Sequence, residues 1–259
     1  TDIENNTTQN AVSLLQLSTL RALVAMAEQI PQFFVTYVEG LLHQECLPAP
    51  CLRTGNNEDG NTISTVAERL EQALANGSPA RHLIPILSKS ISKCLKKEGT
   101  WKESLTILRI LKNSIDKASR NDIGPLAGKI ITALTHTYSF DCDIATRCEL
   151  VDAGNDTLLA MVMKLSEAQL RPLYGKLREW RGDINEESSN SPLHLRKRNA
   201  FWNLSTAMIK ELRSIFLPCM STVVGDIAKE LENAVSILCT VSKSSKGSKR
   251  VKIDNVASI

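Results

Sequence analysis

The chain has 259 residues, enough to bury a continuous core in one or two domains, and a formal net charge of +3. Aromatic residues are scarce at 4%, while Leu, Ile, Ala, Val, Ser and Lys dominate, which suits many helices packed through aliphatic ridges. So small a net charge excludes a globally basic nucleic-acid surface, and any basic patch must be local.

The chain begins at Thr1 rather than Met, as expected of a piece of a longer protein. Its longest uninterrupted apolar run, Ala22 to Ala27, is far below the roughly 18 residues a spanning helix needs, so neither a membrane span nor a signal peptide is expected. Seven cysteines, an odd number without a CxxC pair, fit a reducing compartment better than a disulfide framework. Cytosol, nucleus and nucleolus all agree with that.

Taken in order, the elements read as helices. Leu14, Leu15, Leu17, Leu20, Leu23, Val24 and Met26 cover so much of the first helix that it is expected to be dry on more than one side. Leu47 to Asn61 is a polar excursion rich in Gly, Asn and Pro, predicted to be a loop. Ser78-Pro79 marks a helix start, because proline in the first turn gives up an amide that would be unpaired anyway. Thr100 and Glu103 have capping-box spacing, and Trp101, Leu105, Leu108, Leu111 and Ile115 then follow at three- and four-residue steps. Breaks are predicted at Pro31, Glu98-Gly99, Asn121 to Pro125, Ser139 to Asp143, Gly182 to Pro192 and Pro218. Val224, Ile227, Leu231, Val235 and Leu238 form a last helical stripe. No stretch alternates with period two for long enough to be a strand.

Pairing successive helices gives hairpins beginning near Val12, Thr62, Thr100, Ile144 and Leu193. Those starts scatter about the ~40–47 residues of HEAT-type helix pairs. The expected fold is therefore all-α, a HEAT-like α-solenoid of antiparallel hairpins. One hairpin cannot bury its apolar face alone, so each is covered by its neighbours. Three segments are expected: residues 1–158 as HEAT-like repeats, 159–241 as a C-terminal helical region continuing the array, and 242–259 as a low-complexity basic tail. In that tail Ser242 to Arg250 has nothing apolar to bury and is expected to be disordered.

Lys164 to Trp180 reads KLSEAQLRPLYGKLREW, followed by an acidic, Ser/Asn-rich gap and then RKRNAFWNL leading into a long amphipathic helix. This order resembles the C-terminal region of the HEAT-repeat-containing protein one family, also called U-three small nucleolar RNA-associated protein ten. The family pattern is approximately Lys-Leu-x-Glu-x-x-Phe-Arg-Pro-Leu-Phe-x-x-Leu-x-x-Trp. Here Arg171, Pro172, Leu173 and Trp180 match it, with Leu170 and Tyr174 in place of the two Phe residues. Phe201 stands where an aromatic follows the basic stretch. Upstream, Ser78-Pro79-Ala80-Arg81-His82-Leu83-Ile84-Pro85 resembles the family's Pro-Ala-Arg-x-Leu-Ile-Pro segment, and Trp101 matches a tryptophan that often comes after it. Val66 to Leu238 carries the resemblance, and these motif residues read as structural.

Catalytic and metal chemistry find little support. His43, Cys46 and Cys51 cluster near one loop and His136, Cys142 and Cys148 form a second group, but neither supplies the local fourth ligand that zinc prefers. There is no HExxH, GxGxxG or phosphate-cradling GxxxxGK[ST], and Asp141-x-Asp143 lacks the rest of a calcium loop. The reading is a protein without catalytic residues, metal or cofactor.

Basic segments remain. Arg196, Lys197 and Arg198 precede Phe201 and Trp202, and such a group could hold RNA phosphate while the aromatics stack on bases. The favoured alternative is that Phe201, Leu204, Met208, Leu212 and Ile215 form a buried stripe and the charges a solvated face. Lys243, Lys246, Lys249 and Arg250 form a cationic string suited to RNA contact, to nucleolar targeting or to a simple linker.

The resemblance implies a non-catalytic scaffold of the small-subunit processome in the nucleolus. It implies membership of the early-binding, transcription-associated subcomplex, with U-three snoRNP and the 5′ external spacer of pre-ribosomal RNA in the same particle. Support for precursor cleavage and a link to RNA polymerase I transcription follow from it, and no membrane partner does. The competing reading is a transport or adaptor α-solenoid that binds peptides. Such arrays usually carry asparagine or tryptophan ladders, which this chain lacks.

Overall fold

The computed structural model describes residues 2–43, 63–96, 101–182 and 191–244, with side chains over 11–42, 63–96, 101–182, 191–220 and 222–236. Among these there are ten α-helices and no strand. They are α1 (Asp2–Gln29), α2 (Pro31–His43), α3 (Ile63–Gly77), α4 (Ala80–Cys94), α5 (Trp101–Lys117), α6 (Arg120–Ser139), α7 (Ile144–Val162), α8 (Glu167–Arg181), α9 (Pro192–Leu212) and α10 (Leu217–Ser244). A single 3-10 turn, Arg213–Phe216, joins the last two.

The helices form two layers. α1, α3, α5, α7 and α9 pack side by side in one, and α2, α4, α6, α8 and α10 in the other. The expected α-solenoid is what these layers build. The pairing between layers differs from the sequence expectation by one helix: α4 packs on α5, α6 on α7 and α8 on α9, whereas α3/α4, α5/α6 and α7/α8 barely touch. The corner α3/α4 is only Ser78-Pro79, and α5/α6 only Ala118-Ser119.

This pairing exposes a repeat. Leu83-x-Pro85-Ile86-x-Ser88-Lys89 in α4 becomes Ile123-x-Pro125-Leu126-x-Gly128-Lys129 in α6 and Leu170-x-Pro172-Leu173-x-Gly175-Lys176 in α8. The prolines lie 40 and 47 residues apart, inside the ~40–47 of HEAT-type pairs. Each is the sixth residue of its helix, so α6 runs through the predicted break at Asn121 to Pro125 and begins at Arg120. A proline there orphans only the carbonyl four residues earlier, at Arg81, Asn121 or Ala168. All three are exposed, so water can take that carbonyl's bond.

Core depth is greatest in the middle. In α5 the side chains of Ile107, Leu108, Ile110, Leu111 and Ile115 are fully buried, because α3, α4 and α7 all pack on it. At the N-terminal end the first-helix expectation fails. α1 buries Leu20, Val24 and Ala27 toward α3, but Leu14 and Leu15 are 65% and 69% exposed. Nothing among the described residues packs on that second side. Ala11–Gln29 is long and apolar enough, by length and composition alone, to cross a membrane.

The expected loop at 47–61 and Thr100 of the expected capping box lie outside the described residues. The tail boundary shifts, since Ser242–Ser244 are the last residues of α10. The expected segment boundary at 158/159 falls inside α7. The last break also moves: the helix is interrupted at Arg213, where φ is +47°, and Pro218 becomes the second residue of α10. Pro218 cannot donate to the carbonyl of Ser214 and its ring crowds it, so the break must lie upstream.

Candidate interaction surface

The motif helix α8 is held from both ends. Before it, Lys164 Nζ donates to the carbonyls of Asp116 (2.8 Å) and Ala118 (2.9 Å), satisfying groups at the C-terminus of α5. The Ser166 amide donates to Gln169 Oε1 at 3.0 Å and closes the first turn. At the far end Gly182, with φ +87°, lets the chain turn out of the helix. Arg171 meets Glu167 one turn back at 3.3 Å, on the surface.

Leu170, Leu173, Tyr174 and Leu177 point inward. Tyr174 lies 5.6 Å from the Phe201 ring and edge-on to Phe216 at 5.1 Å, and its hydroxyl is 3.3 Å from that of Ser205. Burial raises the Tyr174 phenol above its ordinary pKa, with the Ser205 hydrogen bond opposing. Trp180 is half-buried against Tyr138, ring centroids 6.1 Å apart. Phe201, Leu204, Met208 and Leu212 are buried as the stripe reading expects, but Ile215, in the 3-10 turn, is 50% exposed.

Charges dock α10 on this core. Arg178 holds Asp226 through two bonds, Nε to Oδ2 at 2.6 Å and Nη2 to Oδ1 at 2.8 Å, and Arg181 Nη1 lies 3.2 Å from Oδ2. Arg181 and Asp226 are both buried. The Arg181 guanidinium lies over the rings of Phe201 (4.9 Å) and Trp202 (5.7 Å), an additional partner for a cation taken out of water. Burial raises the Asp226 carboxyl, but the Arg178 hydrogen bond and the two guanidinium charges outweigh it, so the group ends below the ordinary 3.8.

The sequence-predicted basic residues are dispersed. Arg198 is buried and donates from Nε to Glu230 at 2.6 Å. Arg196 pairs with Asp141, which Arg147 also approaches at 3.8 Å. Lys197 Nζ sits 6.0 Å from the Trp180 ring centre. Lys243 belongs to α10 but its side chain is not described, and Lys246, Lys249 and Arg250 lie outside the described residues. Asp226 and Glu230, one turn apart on α10, were missed; Asp226 takes Arg178 and Arg181 of α8, and Glu230 takes Arg198 of α9.

Of the upstream motif, Pro79 caps α4, and Arg81 reaches Asp122 of α6 at 3.2 Å. Trp101 opens α5, with Lys102 Nζ 5.6 Å from its ring centre. Among the described residues no three His, Cys, Asp or Glu side chains gather closely enough to hold a metal ion. The side chains of His43, Cys46 and Cys51 lie outside the described residues. Cys142 and Cys219 have their thiols pushed up by burial, which keeps them protonated and poorly nucleophilic. The arrangement is suited to holding shape and presenting surface.

Residues 135–251 match the BP28CT (NUC211) domain family. HEAT repeat-containing protein 1 of Homo sapiens is 25% identical over 92% of this chain and 11% of its own length. The same-named protein of Danio rerio is 24% identical over 78% of the chain and 9% of its own. U3 small nucleolar RNA-associated protein 10 of Schizosaccharomyces pombe is 22% identical over 85% and 13%. The resemblance carried by the two proline motifs is thus borne out, although the chain spans only about a tenth of the length of these relatives. No solved structure matches it.

Proposed function

We propose, for a chain that carries the BP28CT (NUC211) domain and is similar to HEAT repeat-containing protein 1, that it is a non-catalytic scaffold in ribosome biogenesis. It works as part of a nucleolar small-subunit processome component that supports early processing of pre-ribosomal RNA toward the small-subunit RNA. The observation that carries this is similarity along most of the chain to relatives named for association with the U3 small nucleolar RNA. The mechanism is geometric: a two-layer array holds long surfaces in fixed register, and protein partners and spacer RNA are arranged along them. A contribution to RNA polymerase I transcription belongs to the same reading.

The candidate contacts differ in accessibility. Arg196 and Arg198 would first have to leave Asp141 and Glu230. Lys197, Lys243, Lys246, Lys249 and Arg250 remain the proposed contacts for RNA or a processome partner. Purification of the intact protein after crosslinking, with sequencing of bound RNA, tests the function. Recovery of U3 and of the 5′ external spacer is the expected outcome, with processome proteins alongside. Cargo or coat proteins without pre-ribosomal RNA would reject the scaffold reading in favour of an adaptor solenoid.

A further inference from the structure

The repeat in α4, α6 and α8 ends in a lysine each time: Lys89, Lys129 and Lys176, each the tenth residue of its helix. These helices are neighbours in one layer. Two contacts fix their axial register. Arg81, second in α4, meets Asp122, third in α6. A Cβ on Gly124, fifth in α6, would lie 2.3 Å from Nε2 of Gln169, third in α8. The helix starts are therefore level within about two residues, or ~3 Å at 1.5 Å per residue. The three lysines share the same burial phase and are all exposed. At the ~8–10 Å spacing of packed helices they form a row of roughly 20 Å.

The three helices that carry this row are basic. α4, α6 and α8 together hold nine Lys or Arg against three Asp or Glu, a net +6, although the whole chain carries only +3. α3, α5 and α7 hold six against seven, a net −1. Lys129 and Lys176 have no acidic partner among the described residues, and Lys89 shares Glu39 with Lys93, at 3.4 Å from Lys89. Beside two of the lysines, Gly128 and Gly175 have open space where a side chain would stand. None of the large exposed apolar side chains lies on these three helices. A protein partner would ordinarily anchor on such side chains. A phosphodiester backbone needs only spaced cations and clearance.

We infer that Lys89, Lys129 and Lys176 form a phosphate-binding row, across which α4, α6 and α8 hold the backbone of a single-stranded RNA. This rests on the proposed function for the biological source of the RNA but not for the binding itself. The test uses the purified full chain and a single-stranded RNA oligonucleotide of mixed sequence, read by fluorescence anisotropy over a salt series. Changing all three to Gln should weaken binding at least tenfold at low salt. It should also flatten the log–log salt slope by about 0.7 per lost contact, roughly 2 in all. The triple Arg variant should bind like the parent, and Glu39→Gln, which frees Lys89, should bind more tightly.

Failure of the parent chain to bind, or an unchanged salt slope in a folded triple-Gln variant, overturns the row. So does loss of polyaspartate binding with RNA binding intact, which would assign the surface to an acidic protein. Because the assay needs no processome, a chain that binds RNA through these lysines but fails to recover pre-ribosomal RNA would sink the proposed function alone.

Discussion

Two helical glycines illustrate how a single residue's surroundings set the sign of a change. Gly128 stands on the open face of α6, so Gly128→Ala should stabilise by up to about 1 kcal/mol through helix propensity. Gly154 in α7 faces Tyr138, and an added Cβ would lie 3.0 Å from its Cε1 and 3.1 Å from its hydroxyl. That ring cannot retreat: it is buried, it packs on Trp180, and its hydroxyl is 3.2 Å from Asn155 Oδ1. Overpacking costs about 1–3 kcal/mol and outweighs the propensity gain, so Gly154→Ala should destabilise by about 1 kcal/mol. Denaturant midpoints of the two variants moving in the same direction would contradict this. The aromatics should rank by burial. Phe201→Ala should cost about 3–5 kcal/mol and Trp180→Ala about 3 kcal/mol or less, because Trp180 keeps part of its surface in water. An unchanged melting temperature for Trp180→Ala would place that ring outside the packing entirely.

Among the elements, α10 is the one whose attachment should respond to pH. Among its described side chains, Cys219 and Val223 are buried while Val224, Ile227, Leu231 and Val235 are exposed. Asp226 and Glu230 therefore carry much of the docking. The Asp226 carboxyl titrates below its ordinary 3.8 in the folded protein. Its stabilising contribution is complete above the unfolded value and is lost as pH falls through the lowered one. Asp226→Asn should cost about 3 kcal/mol at neutral pH, chiefly by leaving Arg181 buried without its counter-charge. Parent and variant should converge in stability as the pH falls through the lowered Asp226 value. Thermal melts showing a constant gap down to pH 2 would remove Asp226 from that role. Arg178 and Arg181 of α8 are engaged by this docking, which a reading confined to α8 could not find, because their partner Asp226 lies 48 and 45 residues away.

At the scale of the molecule, stability should be graded along the array. Hydrogen exchange should be slowest in α4 to α6 and fastest in α1 and the outer part of α10, because the middle helices are covered on several sides. The pairing also determines where the chain can be cut. Removal of residues 1–79 leaves α4 on α5 and should preserve a cooperative melt. Removal of residues 1–99 strips α4 from α5 and should abolish it. Equal cooperativity of the two truncations would mean that α5 does not depend on α4. Helix type, helix number and the family motifs were legible in the sequence, since apolar periodicity and turn residues are local properties of the chain. The register of the hairpins was not, because Pro125 reads as a breaker until it is seen as the sixth residue of α6, the place that Pro85 holds in α4 and Pro172 in α8. Nor did the first helix's apolar circumference reveal its exposure, since burial depends on what packs against a face. The composition by itself decided an all-helical, aliphatic protein with little net charge. Only the tertiary structure decided which helices meet, which arginines are already engaged, and that the cations of α4, α6 and α8 gather on one layer, because proximity between segments tens of residues apart is set by packing.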